Sequence, residues 1–122
     1  GGGHLFCQSW GSDDYIYFDE PTYINNFQMN AQPYEGYGWT GSSAYQDIYA
    51  YDIDGNTVWS TTVNLIDYTD WDNWLTVNVE TENISTLHFI APGYAPWYNG
   101  FWPSIDNLVI NERLQFGRYV SI

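Results

Sequence analysis

Trp74-Leu75-Thr76-Val77-Asn78-Val79 sets Leu75, Val77 and Val79 against Trp74, Thr76 and Asn78 in strict alternation. Successive side chains of a strand point to opposite faces, so the stretch reads as a strand with one face in a core and the other turned outward. Trp59, Val63 and Leu65 follow the same rule, as do Leu87 and Phe89. Nowhere does the chain sustain a 3.6-residue apolar period; β-branched and aromatic residues instead come in short runs separated by Gly, Pro, Asn and Asp. The class is therefore all-β. Strands are predicted over 4–10, 15–18, 22–30, 44–53, 57–66, 74–79, 84–90 and 103–111, and this many short strands predict an antiparallel β-sandwich. Asp52-Ile53-Asp54-Gly55-Asn56 lacks the spacing and downstream glutamate of an EF-hand loop, and it reads as a plain hairpin in which Gly and Asn accept positive φ.

At 122 residues and 14.2 kDa the chain fits one domain, expected over 4–122. Gly1-Gly2-Gly3 carries no folding information and is expected to be a linker or a cloning scar. Fifteen acids against two basic residues give a formal charge of -13, which argues against nucleic acid and anionic membranes as partners. Aromatics make up 20% of the residues, far above what disordered acidic chains carry. Only Arg113 and Arg118 are cationic and Cys7 is the sole cysteine, so aromatic packing has to hold the fold without salt bridges or an internal disulfide. No apolar run reaches the length of a membrane helix.

Antiparallel strands place alternate connections at opposite ends of a sandwich. One end then collects the turn near 10–14 and the segments 31–43, 67–73 and 91–102. The other collects 19–21, 54–56 and 80–83. The first set contains Trp10, Tyr34, Tyr37, Trp39, Tyr68, Trp71, Tyr94, Trp97, Tyr98, Phe101 and Trp102, whereas the second contains no aromatic residue. Large aromatic side chains in loops are a solubility liability unless they pack or bind something. Indole and phenol faces suit the apolar C–H faces of sugar rings, and carboxylates accept hydrogen bonds from ring hydroxyls. Trp39 and Trp97 lead the expected ligand contacts, with Tyr34, Tyr37, Trp71, Tyr98 and Trp102 beside them and Glu35, Asp70 and Asp72 on the rim. Trp59 and Trp74, on strands, are expected to be structural.

The runs Ile48-Tyr49-Ala50-Tyr51-Asp52, Asp54-Gly55-Asn56, Val58, Trp74 to Val79, Ile84 to Phe89 and Ser104-Ile105-Asp106-Asn107-Leu108-Val109-Ile110 follow one another in a recurrent order. Together they resemble the jelly-roll carbohydrate-binding modules attached to secreted polysaccharide-degrading enzymes. The resemblance spans residues 15–111 and implies a jelly-roll sandwich, an extracellular setting within a larger multidomain chain, and a polysaccharide or oligosaccharide partner. In several such modules a closing-strand aspartate helps to bind a structural calcium, a role that falls on Asp106 here. The usual glutamate partner, in an opening Gly-Phe-Glu-like segment, has no counterpart. The alternation of loops puts Asp13 and Asp14 at the same end, which makes Asp14 a candidate second ligand.

Catalytic signatures are absent: there is no G-x-S-x-G around Gly41-Ser42-Ser43, no H-E-x-x-H and no P-loop. With only His4 and His88 a histidine-rich metal centre has no basis, and His88 reads as a strand residue. The expected function is a non-catalytic carbohydrate-binding module for a glycan that is neutral, or else cationic. An adhesion or structural β-sandwich contacting another protein is the alternative, and a small polysaccharide-cleaving enzyme stands third.

Overall fold

The computed structural model describes residues 5–6, 13–33, 44–90 and 101–112, with the side chains of Leu5, Phe6, Pro33 and Trp102 left aside. Six strands are present: β1 (Leu5–Phe6), β2 (Asp14–Pro33), β3 (Tyr45–Tyr51), β4 (Thr57–Asn64), β5 (Leu75–Phe89) and β6 (Phe101–Ile110). All their pairings are antiparallel, in the order β1-β6-β2-β5-β3-β4, and the described residues contain no helix.

The alternation that identified β5 is realised. Val77 and Val79 are buried, Leu75 packs against the core, Thr76 and Asn78 are exposed, and Trp74 is half-buried. Leu65, Leu87 and Phe89 are likewise buried, with Trp59 and Val63 packed at the core's margin. Two boundaries differ from the sequence reading in an instructive way. The segments 19–21 and 80–83, expected to be connecting loops, are bends inside the continuous strands β2 and β5. Glu80 (φ 47°) and Asn83 (φ 65°) sit in the left-handed region there, and the β2–β5 register shifts between Tyr17 and Thr22 and again before Asn26. Such bulges turn a strand without ending it. Pro21, which has no N–H to contribute to a ladder, falls within the interrupted stretch.

These bends double the β2–β5 ladder back on itself. Phe89 is the register partner of Asp14, and Phe27 lies thirteen residues further along the same strand. A straight ladder would separate the two rings by on the order of 40 Å at ~3.3 Å per residue. Their centroids are instead 6.0 Å apart in an edge-to-face contact, and both rings are buried. The core therefore forms between the two halves of one ladder, with Ile24, Met29, Ile48, Leu87, Phe101 and Ile105 around the pair.

Doubling back also decides what lies at each end. Ala31 N donates to the Tyr68 carbonyl (2.9 Å), Leu65 N to that of Ala44 (2.8 Å) and Ile90 N to that of Asp47 (3.0 Å), while Pro33 pairs with Phe101. The described residues that flank 34–43 and 91–100 are thus tied together with segment 65–74. At the bend, Asn111 N donates to the Tyr23 carbonyl (2.7 Å) and Glu112 N to Asn25 Oδ1 (3.0 Å).

The hairpin expected at Asp52–Asn56 joins β3 to β4. Gly55 N donates to the Asp52 carbonyl (3.1 Å), Asp52 N to that of Asn56 (2.9 Å), and Gly55 supplies the required positive φ of 85°. Asp52 Oδ1 accepts from both Asp54 N and Asn56 N at 2.9 Å. These donors hold the Asp52 carboxyl below its ordinary value, with the Asn56 backbone contributing most.

Candidate functional site

Of the residues singled out from sequence, Tyr34, Glu35, Tyr37, Trp39, Trp97 and Tyr98 lie outside the described residues. Trp102 lies in β6 opposite Gln32, within a strand and not the loop that was expected. Phe101, also expected in that loop, is a fully buried core residue, because β6 begins two residues earlier than its Pro103 suggests.

Segment 65–74 is held by side chains from within the fold. Asn30, fully buried on β2, donates to the carbonyls of Asp70 (2.6 Å) and Asn73 (3.0 Å), and Asn73 Nδ2 donates to that of Asp67 (2.7 Å). Asp70 Oδ1 caps the turn by accepting from Asp72 N (3.0 Å), leaving Asp70 and Asp72 exposed. Trp71 is 46% exposed and packs on half-buried Trp74, with ring centroids 5.8 Å apart and Trp74 Nε1 donating to the Trp71 carbonyl (2.7 Å). Trp71, Asp70 and Asp72 are therefore together on one turn, and Trp74 plays the supporting part expected of it.

The two residues considered for calcium are not in one place along the ladder. Asp106 pairs with Gln28 and accepts from Asn107 N (2.7 Å), whereas Asp14 pairs with Phe89. Asp14 is half-buried, and burial, followed by repulsion from Asp13, raises its carboxyl above the ordinary value. Among the described residues no group of three or more His, Cys, Asp or Glu is placed to hold a metal ion.

The most developed surface lies on strands. On the face opposite the core, the first half of β2 presents Tyr15 and Tyr17, the last residues of β5 present His88, and β3 presents Tyr45, Asp47, Tyr49 and Tyr51. Strand alternation puts them there: Ile16, Phe18, Leu87, Phe89, Ile48 and Ala50 point the other way, into or against the core. The register sets His88 between Tyr15 and Tyr49 in one cross-strand row. Tyr15 stacks on His88 (4.3 Å, 13°) and on Tyr17 (5.8 Å, 10°), while Tyr49 stacks on Tyr51 (6.3 Å, 12°). Tyr17 is 73% and Tyr15 46% exposed.

A hydrogen-bonded chain fixes this array. His88 Nε2 lies 2.8 Å from Asp13 Oδ2, and His88 Nδ1 lies 2.6 Å from the Tyr51 hydroxyl. A carboxylate can only accept, so Nε2 carries the hydrogen; in neutral His88, Nδ1 is then the acceptor for the Tyr51 O–H. Burial pushes the Tyr51 phenol above its ordinary value, and Tyr15, Tyr49 and Asp13 add to the rise. Acid, imidazole and hydroxyl thus form one hydrogen-bonded relay, which locks the imidazole flat beneath Tyr15 and anchors Tyr51.

Sequence reasoning missed this surface. The signal was available in the two Tyr-x-Tyr pairs, Tyr15/Tyr17 and Tyr49/Tyr51, whose period of two sends both rings of each pair to one side of a strand. Comparison with protein-family models, with curated proteins and with solved structures finds no match for the chain.

Proposed function

We propose that this chain is a non-catalytic carbohydrate-binding module of the jelly-roll β-sandwich type, working outside the cell to dock a larger protein onto a polysaccharide. The observation that carries the reading is the ordered tyrosine face. Phenol rings, two of them well exposed, are held by stacking along β2 and β3, by the cross-strand Tyr15–His88 contact and by the Asp13–His88–Tyr51 chain, so little ordering entropy remains to be lost when a sugar ring packs against them. Sugar rings place their C–H faces against such rings while their hydroxyls donate to carboxylates at the margin, a part suited to Asp47. Trp71 with Asp70 and Asp72 offers a second patch of the same composition, and Trp39 and Trp97 belong to the same proposal as loop contacts.

Affinity electrophoresis against a panel of soluble polysaccharides tests the reading. Tyr17→Ala is expected to weaken binding about tenfold, ~1.4 kcal/mol, which is the scale of one lost stacking partner plus its buried area. Trp39→Ala and Trp97→Ala measure the loop contribution in parallel. Binding to no polysaccharide, or full retention of binding by folded Tyr15→Ala and Tyr17→Ala variants, refutes the proposal.

A further inference from the structure

We infer that the tyrosine face prefers a glycan bearing free amines, an amino-sugar polymer with protonated ammonium groups, over the same chain with its nitrogens acylated. This rests on the glycan-docking reading and narrows its ligand class.

Charge complementarity carries the inference. Aromatic rings are electron-rich above their faces and attract cations, and two stacked pairs, Tyr15/Tyr17 and Tyr49/Tyr51, stand on neighbouring parts of one sheet face with Tyr15 and Tyr17 exposed. Carboxylates stand at the same surface. Asp47 shares the outward side of β3 with Tyr45, Tyr49 and Tyr51 and is exposed, and Asp13 bonds His88 at the end of the Tyr15 row. No opposing permanent charge is present on the described residues, because the chain has no lysine and both its arginines, Arg113 and Arg118, lie elsewhere in the sequence. At -13 the whole molecule adds a long-range field that gathers cations and repels uronates and sulfates. A neutral sugar gains stacking and hydroxyl hydrogen bonds to Asp47; an ammonium-bearing sugar gains these and, in addition, the attraction of its charge to the aromatic rings and to the Asp47 carboxylate.

The test compares a short β-linked glucosamine oligomer with its N-acetylated twin by isothermal titration, in mildly acidic buffer where the amines are protonated. The free-amine oligomer is expected to bind about tenfold tighter at low ionic strength, and the advantage to shrink in salt while the neutral oligomer is unaffected. Asp47→Asn, which removes a charge but no ring and keeps an acceptor oxygen, is expected to lower the ratio of free-amine to acylated affinity towards one. Tyr15→Ala and Tyr17→Ala leave the net charge unchanged, so loss of free-amine binding in these variants separates a docking face from the general field. Equal or tighter binding of the acylated twin overturns the inference while leaving the glycan-docking reading in place. Binding of neither oligomer, together with failure on the wider polysaccharide panel, overturns that underlying reading. Polylysine binding that matches the amine oligomer and ignores the tyrosine substitutions shows nonspecific charge attraction and overturns the inference as well.

Discussion

Phe27 and Phe89 are in contact only because the β2–β5 ladder doubles back, so their energetic coupling reports on that geometry directly. Phe27→Leu and Phe89→Leu keep both sites apolar, and each is expected to cost about 1–2 kcal/mol in lost packing. The edge-to-face contact at 6.0 Å contributes a pairwise term of about 0.5–1.5 kcal/mol beyond area burial. The double variant should therefore be less destabilised than the sum of the singles by about that amount. For 122 residues at ~2.1 cal/mol/K each, the unfolding entropy is roughly 0.26 kcal/mol/K, so a coupling of about 1 kcal/mol corresponds to a discrepancy of about 4 °C in Tm. Urea denaturation of the four proteins measures the cycle with more discrimination, provided the transitions share one m-value. Rings some 40 Å apart on a straight ladder would be additive within about 0.3–0.5 kcal/mol, and that result refutes the doubled-back arrangement.

Gly55→Ala is expected to cost about 1–2 kcal/mol in chemical denaturation through the left-handed φ alone, since a Cβ there meets nothing within 4 Å. Asn30→Ala should cost about 1–3 kcal/mol by leaving the Asp70 and Asn73 carbonyls without their donor, and hydrogen exchange should rise within 65–74 ahead of the strands. Asp52 and Asp14 are expected to respond to pH in opposite senses. Asp52 is held low, so its contribution is present above its unfolded value and is lost as pH falls through the lower folded one; thermal melts of Asp52→Ala should converge on the parent in acid. Asp14 is raised, so the parent protein is favoured while this group is protonated and loses stability as pH rises through the raised value; Asp14→Asn should be the more stable protein at neutral pH and lose its advantage in acid.

Period-two patterning made the core strands readable, since Val77, Val79, Leu87 and Phe89 had to share a side. The bends at 19–21 and 80–83 looked like loops because Glu-Pro and Glu-x-x-Asn interrupt the apolar pattern in either case. Whether such an interruption reverses the chain or only kinks it depends on register, and register depends on partners remote in sequence. Loop position marks Trp71 and its neighbours as site candidates in the sequence, whereas the tyrosines of β2 and β3 lie within strands, where an aromatic residue ordinarily signals sheet packing. His88 illustrates the remaining gap. Its place in a strand followed from pattern, but Asp13 and Tyr51 reach it from seventy-five and thirty-seven residues away, and no local signal announces such a meeting.

Among the described residues, β3–β4 is the only ladder between strands consecutive in sequence, and each other pairing there joins segments distant along the chain. The Gly55 hairpin can form early by itself, but its inward face has nothing to cover it until β2 and β5 arrive. Since each of those strands runs through both halves of the doubled ladder, neither half can mature alone. Non-local pairing of this kind slows folding, and the β-prone runs of β2 and β5 stay uncovered until their distant partners arrive.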